Sequence, residues 1–183
     1  MIVVFRVEFN IFGLVLNFRI FKECLHYFLS DCHFAFRRAR SASDLNYIGK
    51  QIFRAILARG EKAVAVHVDY KSAFDSLSHI FIFKSLKTAG ASCKTLQLYK
   101  AIYTKAQVVA KAGTALSEPF DIDRGALEGD VNSPIIFSIG LEAVFREAEE
   151  LNKSFGLSGG IKLFDVSYSK IVFADDVTLL GDT

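Results

Sequence analysis

Apolar residues at Leu45, Ile48, Ile52, Phe53, Ile56 and Leu57 are spaced by threes and fours, which predicts an amphipathic helix over 41–59. Ser43 or Asp44 is its expected N-cap and Gly60 its stop. The pattern then changes to the nearly unbroken apolar run AVAVHVDY over 63–70, which reads as a strand buried on both faces and central in a sheet. Helical spacing returns over 78–89, ended by Gly90, and over 92–103, where Leu96, Leu98, Tyr99 and Ile102 form the apolar set. Residues 107–111 and 118–122 predict two short strands joined through Ala112, Gly113, Thr114 and Ala115. The longest helical pattern covers 133–151, with Pro134 in a first turn that tolerates proline. Two strands then flank the adjacent acids Asp175 and Asp176.

Composition adds bounds. With 183 residues, 51% of them hydrophobic and 18 of them Phe, the chain can bury a real core and is unlike a disordered tail. A net charge of +2 neither requires nor excludes nucleic acid, so local clusters decide. Arg37, Arg38 and Arg40 are the densest basic spot; Lys100, Lys105 and Lys111 form a looser group. Three cysteines are too few for a disulfide framework, which favours an intracellular setting, and the spacing of Cys24, His26, Cys32 and His33 fits no zinc pattern. Charges interrupt the Phe-rich first thirty residues, leaving neither a run of about 20 apolar residues for a membrane span nor a signal-peptide pattern. Residues 1–32 are therefore read as an atypical segment, amphipathic or non-native, ahead of a domain over 33–183. No proline-rich linker or repeat divides the chain.

The chemistry concentrates in acids at strand ends. Asp69 closes the strand at 63–70, and Asp175 and Asp176 interrupt the apolar run IVFADDVTLL. Adjacent carboxylates repel each other, which exposure at a turn or a bound cation relieves. Three such acids at one end of a sheet could hold paired divalent ions for phosphoryl chemistry; an ordinary β-turn is the plainer alternative.

Three blocks occur in order: Asp69-Tyr70-Lys71-Ser72-Ala73-Phe74-Asp75; then Arg124-Gly125-Ala126-Leu127-Glu128-Gly129-Asp130-Val131-Asn132-Ser133-Pro134; then Phe173-Ala174-Asp175-Asp176. The series resembles palm motifs A, B and C of reverse transcriptases from non-LTR (LINE-type) retrotransposons. Upstream, Phe36-Arg37-Arg38-Ala39-Arg40-Ser41 is similar to that family's G-F-R-x-x-R-S block, with Ala35 in place of glycine. The resemblance covers about 33–183 and implies an α/β (α+β) polymerase palm: an antiparallel sheet with helices packed on one face, truncated after the Asp-Asp hairpin. It implies RNA-directed DNA synthesis on an RNA template and DNA primer from dNTPs, with two Mg²⁺ ions (Mn²⁺ as an alternative). Asp69, Asp175 and Asp176 would be the catalytic acids and metal ligands, joined by the Tyr70 carbonyl. Phe74, Glu128 and Gly129 would meet the nucleotide, with a core aromatic as the other reading of Phe74. Arg37, Arg38, Arg40, Ser133 and Pro134 would contact the template, and Asp75 would cap the following helix.

Two positions depart from the family. Glu128 stands where glutamine is usual, and its charge would repel a triphosphate unless it points away. Asn132 replaces a leucine and reads as a helix N-cap. The family's thumb, primer grip and early fingers block have no counterpart in this sequence, and the outer strand of the Asp-Asp hairpin is expected to lack a neighbour. The alternative function is a catalytically inactive retrotransposon remnant that retains nucleic-acid binding. A third class is a different metal-dependent phosphotransferase or a receiver-like domain using clustered acids, which predicts a parallel sheet of alternating βα units.

Overall fold

The structure, a computed structural model, describes residues 7–182 other than Glu128, Ser158 and Phe164. In chain order its elements are α1 (Val7–Ile20), a π-helical turn (Phe21–Leu25), α2 (His26–Phe28), α3 (Ala42–Arg59), β1 (Ala63–Val68), α4 (His79–Thr88), α5 (Cys93–Lys105), β2 (Gln107–Val108), β3 (Lys111–Ala112), β4 (Ala115–Leu116), β5 (Phe120–Asp121), α6 (Ser133–Ser154), β6 (Ile161–Leu163), β7 (Val166–Tyr168), β8 (Lys170–Phe173) and β9 (Asp176–Asp182). They gather into two compact units that interleave along the chain. One comprises Met1–Phe28 with Ser72–Ala143, the other Leu29–Lys71 with Val144–Thr183. Each is assembled from two separate stretches, so no linker composition marks the division.

In the first unit each helix buries one face. On α5 only Tyr99 of the expected set is buried, with Thr95 and Tyr103, while Leu96, Leu98 and Ile102 are half-buried. Leu16 and Ile20 of α1, Ile82 and Leu86 of α4, Tyr99 and Tyr103 of α5, and Ile136 and Ile139 of α6 are all nearly inaccessible. Cys24, Leu25 and Phe28 extend this core from the start of the chain. Serines cap α4 and α5: the Phe81 amide donates to Ser78 Oγ and the Thr95 amide to Ser92 Oγ, satisfying orphan helix donors. Ser78, not Asp75, therefore caps α4. Glu23 accepts from the Ser92 amide at 2.9 Å and from the Ser92 and Thr95 hydroxyls at 3.2 Å each. It places negative charge at the positive end of α5. The expected short strands pair as β2–β5, with β3–β4 as the hairpin tip.

In the second unit, α3 begins at a capping box. The Asp44 amide donates to Ser41 Oγ, and the Ser41 amide donates back to the Asp44 carboxylate at 2.8 Å. The N-cap is thus Ser41 rather than Ser43 or Asp44, while Gly60 stops the helix at φ 63° as expected. Ile52 packs with Phe34, Ile161 and Ile171, and Leu45, Ile48, Ile56 and Phe173 flank them. The main sheet is antiparallel in the order β1-β9-β8.

Two expectations about this sheet are corrected. β1 is an edge strand, and both Val64 and Val66 are 49% exposed. An apolar run reports affinity for a sheet, not position within it. The strand after the Asp pair, β9, is central and pairs on both sides. The outer strand β8 has a neighbour too: the Val172 amide donates to the Cys32 carbonyl and the Phe34 amide to the Val172 carbonyl, both at 2.9 Å. The antiparallel order rules out the receiver-like alternative, which needs parallel strands. No helix among the described residues is long and apolar enough to cross a membrane.

Candidate active site

Asp69 follows β1 directly, and the β1–β9 ladder ends with Val68 opposite Val177. Continued by one step, that register would set Asp69 opposite Asp176 on the same face of the sheet. Phe173 pairs with Asp176, so Ala174 and Asp175 form a two-residue loop, with Ala174 at φ 56°. A positive φ in such a loop suits the right-handed twist of the flanking strands. Asp69 and Asp176 are exposed, and Asp175 is half-buried. Asp176 lines one end of a cleft of about 1160 Å³ between α3 and the sheet, with His67 and Thr178 beside it. His67 Nδ1 and Thr178 Oγ1 are hydrogen-bonded at 2.9 Å, which makes His67 a cross-strand partner rather than a free base.

Carboxylates at one sheet end are the donor chemistry a hard divalent ion takes. The described residues nevertheless contain no group of three or more His, Cys, Asp or Glu side chains already drawn together around a common point. Tyr70 is half-buried, and burial pushes its phenol above the ordinary value.

The loop from Asp31 to Arg40 uses its arginines internally. Arg37 Nη1 donates to the Ser30 carbonyl at 2.8 Å, and Arg40 donates to both the carbonyl and the carboxylate of Asp31. Arg40 also lies over the Phe34 ring, 5.3 Å from its centroid. Arg38 is exposed.

In the other unit, the continuation of the Asp69 block is zipped to the second block. The Ala126 amide donates to the Phe74 carbonyl at 2.9 Å, and the Gly125 amide to the Leu77 carbonyl at 2.7 Å. Half-buried Phe74 packs its ring on Phe137 of α6 at 4.9 Å between centroids. Gly129 has φ 93°, open to glycine and strained for other residues. Glu128 lies outside the described residues. Ser133 is buried and its hydroxyl donates to the Leu127 carbonyl at 2.7 Å; Pro134 follows it, half-buried, in the first turn of α6.

Asn132 does not cap α6 with its side chain. Its Nδ2 donates to Asp130 Oδ1 and to the Gly13 carbonyl, both at 3.1 Å, and its amide donates to Asp130 at 3.2 Å. Burial pushes the Asp130 carboxyl up, and the Asn132 donors pull it part of the way back. The segment around Gly13 is therefore built into the second motif's loop, and Asn17 adds a hydrogen bond to the Val131 carbonyl at 3.2 Å. Sequence reasoning missed this contact. The one available signal was a polar residue, Asn132, standing at an otherwise apolar position.

The model of the family described as reverse transcriptase (RNA-dependent DNA polymerase) matches residues 14–183. The chain belongs to the reverse transcriptase family. Its curated relatives are retrotransposon proteins, and the type is non-LTR. It is 28% identical over 117 residues to the retrovirus-related Pol polyprotein from the type-2 retrotransposable element R2DM of Drosophila melanogaster, covering 64% of this chain and 10% of that protein. It is 32% identical over 120 residues to the Pol polyprotein from the type-1 retrotransposable element R2 of Nasonia vitripennis, covering 63% of this chain and 11% of that protein. This reverse transcriptase chain thus spans about a tenth of the length of those relatives.

Solved telomerases share the fold at low identity. Telomerase from Candida albicans, in complex with a TWJ fragment of telomeric RNA, superposes with a TM-score of 0.62 at 15% identity, covering 92% of this chain and 30% of that one. Apo telomerase from Candida tropicalis, truncated from its C-terminal domain, gives 0.60 at 10% identity, with 96% and 35% covered. The antiparallel sheet carrying the acids, with helices against it, is a reverse transcriptase palm.

Proposed function

We propose that this chain contributes the palm of an RNA-directed DNA polymerase, in which a primer 3′-hydroxyl attacks the α-phosphate of a dNTP and pyrophosphate leaves. The reading is supported above all by the β1–β9 register, which leads Asp69 toward Asp176 at the Asp-Asp turn of a chain already in the family. Asp69, Asp175, Asp176 and the Tyr70 carbonyl would hold Mg²⁺, or Mn²⁺ in its place. Such ions, when bound, supply Lewis acidity to the hydroxyl and offset charge on the leaving group. A cation would also balance the mutual repulsion of the carboxylates. Phe74 and Gly129 would meet the nucleotide: glycine permits close backbone approach, and the aromatic adds bulk against a ribose 2′-hydroxyl. Arg38, Ser133 and Pro134 would serve the template strand, with Arg37 and Arg40 shaping the loop that presents Arg38.

A second reading, a catalytically inactive remnant that still binds nucleic acid, is favoured by one observation: the described acids form no closed group of three. Primer extension on an RNA template separates the two. Mg²⁺-dependent extension abolished by Asp175→Asn supports the polymerase. Absence of both Mg²⁺ binding and extension, with RNA binding retained, supports the remnant.

A further inference from the structure

Between Asp75 and Glu118 the chain has no acidic residue, yet it has six lysines: Lys84, Lys87, Lys94, Lys100, Lys105 and Lys111. That leaves 16 basic against 20 acidic residues in the rest of the chain, so the modest overall charge conceals a strongly positive segment. The segment forms the helical hairpin α4–α5 within the first unit. Its buried positions are apolar or hydroxyl-bearing (Ile82, Ser85, Leu86, Thr95, Tyr99 and Tyr103), so the lysines fall on the outer faces. Lys84, Lys87, Lys94, Lys100 and Lys105 are all exposed. None of the five forms an ion pair among the described residues; Lys100 lies over the Phe83 ring, 5.9 Å from its centroid.

We propose that the outer face of the α4–α5 hairpin is an RNA-binding surface that holds a strand by its phosphates. Five uncompensated ammonium groups on two adjacent helices form a positive field that a polyanion would neutralise with release of counterions. Lys94 and Lys105 are eleven residues apart on one face of α5, about 16 Å along the axis at ~1.5 Å per residue. That span matches about five phosphates at ~3.4 Å rise per nucleotide. Lysine acts as a point charge without the planar fork that reads bases, so the surface would grip the backbone with little sequence preference. The choice of RNA over an acidic protein or an anionic membrane rests on the family assignment. The surface itself does not depend on catalysis.

The test is binding of a labelled single-stranded RNA oligonucleotide to the full chain in EDTA without dNTPs, so that failure of polymerisation leaves it unaffected. Lys84→Glu, Lys94→Glu and Lys105→Glu combined should weaken binding roughly tenfold or more and lower the salt slope by about 2, at ~0.7 per lost phosphate contact. Arg at the same three positions should retain binding. Lys50→Glu, Lys153→Glu and Lys162→Glu, an equal charge change in the other unit, should have the smaller effect. The proposal fails if the two Glu sets weaken binding equally, if the salt slope is unchanged, or if poly-glutamate or anionic vesicles compete as well as unlabelled RNA does. A shared melting temperature among the variants excludes unfolding as the cause.

Discussion

A Cβ built on Gly125 would stand 3.3 Å from the Cα of Asp75 and 3.4 Å from its carbonyl oxygen. The Asp75 turn and the Arg124–Ala126 loop therefore meet backbone to backbone, which brings the Ala126 amide onto the Phe74 carbonyl. Gly125 also has φ 98°. Gly125→Ala should lose about 1–2 kcal/mol from the backbone conformation and about 1–3 kcal/mol from the contact, because neither backbone segment can move aside. Urea denaturation measures the sum. A loss near zero would mean that the two loops are not held together in solution.

The three thiols should differ sharply in reactivity. Cys24 is buried, and burial with the neighbouring Glu23 charge pushes its thiol up to about 11. The thiolate is the nucleophile, so Cys24 should resist a disulfide reagent at pH 8 until the protein unfolds. Cys93 is exposed and should react first, and Cys93→Ser should remove that fast phase. Because the folded thiol holds its proton more tightly than an ordinary thiol near 9.0, its contribution to stability is present below pH 9 and lost as pH rises toward 11.

Local pattern made much of this fold legible, while non-local contacts stayed hidden. The helices 41–59, 78–89, 92–103 and 133–151 differ from the observed elements mainly at their ends, because each apolar face is periodic and each start has a side-chain signal. The misplaced cap of α3 shows the limit: Ser41, Ser43 and Asp44 crowd the helix start, and only the reciprocal Ser41–Asp44 pair distinguishes among them. The edge position of β1 could not be read from AVAVHV, because partner order is a property of the assembled sheet. In the candidate site, the strand-end placement of Asp69 and the turn at Asp175 were legible from an apolar run ending in acids. The bonds from Asn132 to Gly13, and from Glu23 to Ser92, join positions 119 and 69 residues apart. No local pattern encodes such pairs.

Tyr99 and Tyr103 bury their rings along one face of α5, and the Tyr99 hydroxyl has no hydrogen-bond partner among the described residues. A buried hydroxyl without a partner has been desolvated for no return. Tyr99→Phe should therefore leave stability unchanged or raise it by about 1 kcal/mol, whereas Tyr99→Ala should cost about 3–5 kcal/mol for the ring it removes. Thermal melts of the two variants check this. A large loss on Tyr99→Phe would reveal a partner for the hydroxyl.

Asp130 should give the chain a measurable pH dependence. The carboxyl is buried, which raises its pKa above the ordinary 3.8, and the Asn132 amide and Nδ2 oppose that rise without cancelling it. A carboxyl with a raised folded pKa binds its proton more tightly in the native state. Its stabilising contribution is therefore full below about pH 3.8 and declines as pH rises through the folded value. Asp130→Asn keeps the shape and an oxygen for the Asn132 donors but cannot ionise, so its stability curve should be flatter above pH 4 and should overtake the parent toward neutrality. Asn132→Leu restores the apolar residue usual in the family yet removes the donors that support the ionised Asp130. It should cost about 1–3 kcal/mol at pH 7 and less as the pH falls and the acid takes up its proton. Urea melts from pH 4 to pH 7 resolve both effects. If Asp130→Asn were less stable than the parent by a constant amount at every pH, the carboxylate would be contributing through its shape and hydrogen bonds alone, with no cost from burying its charge.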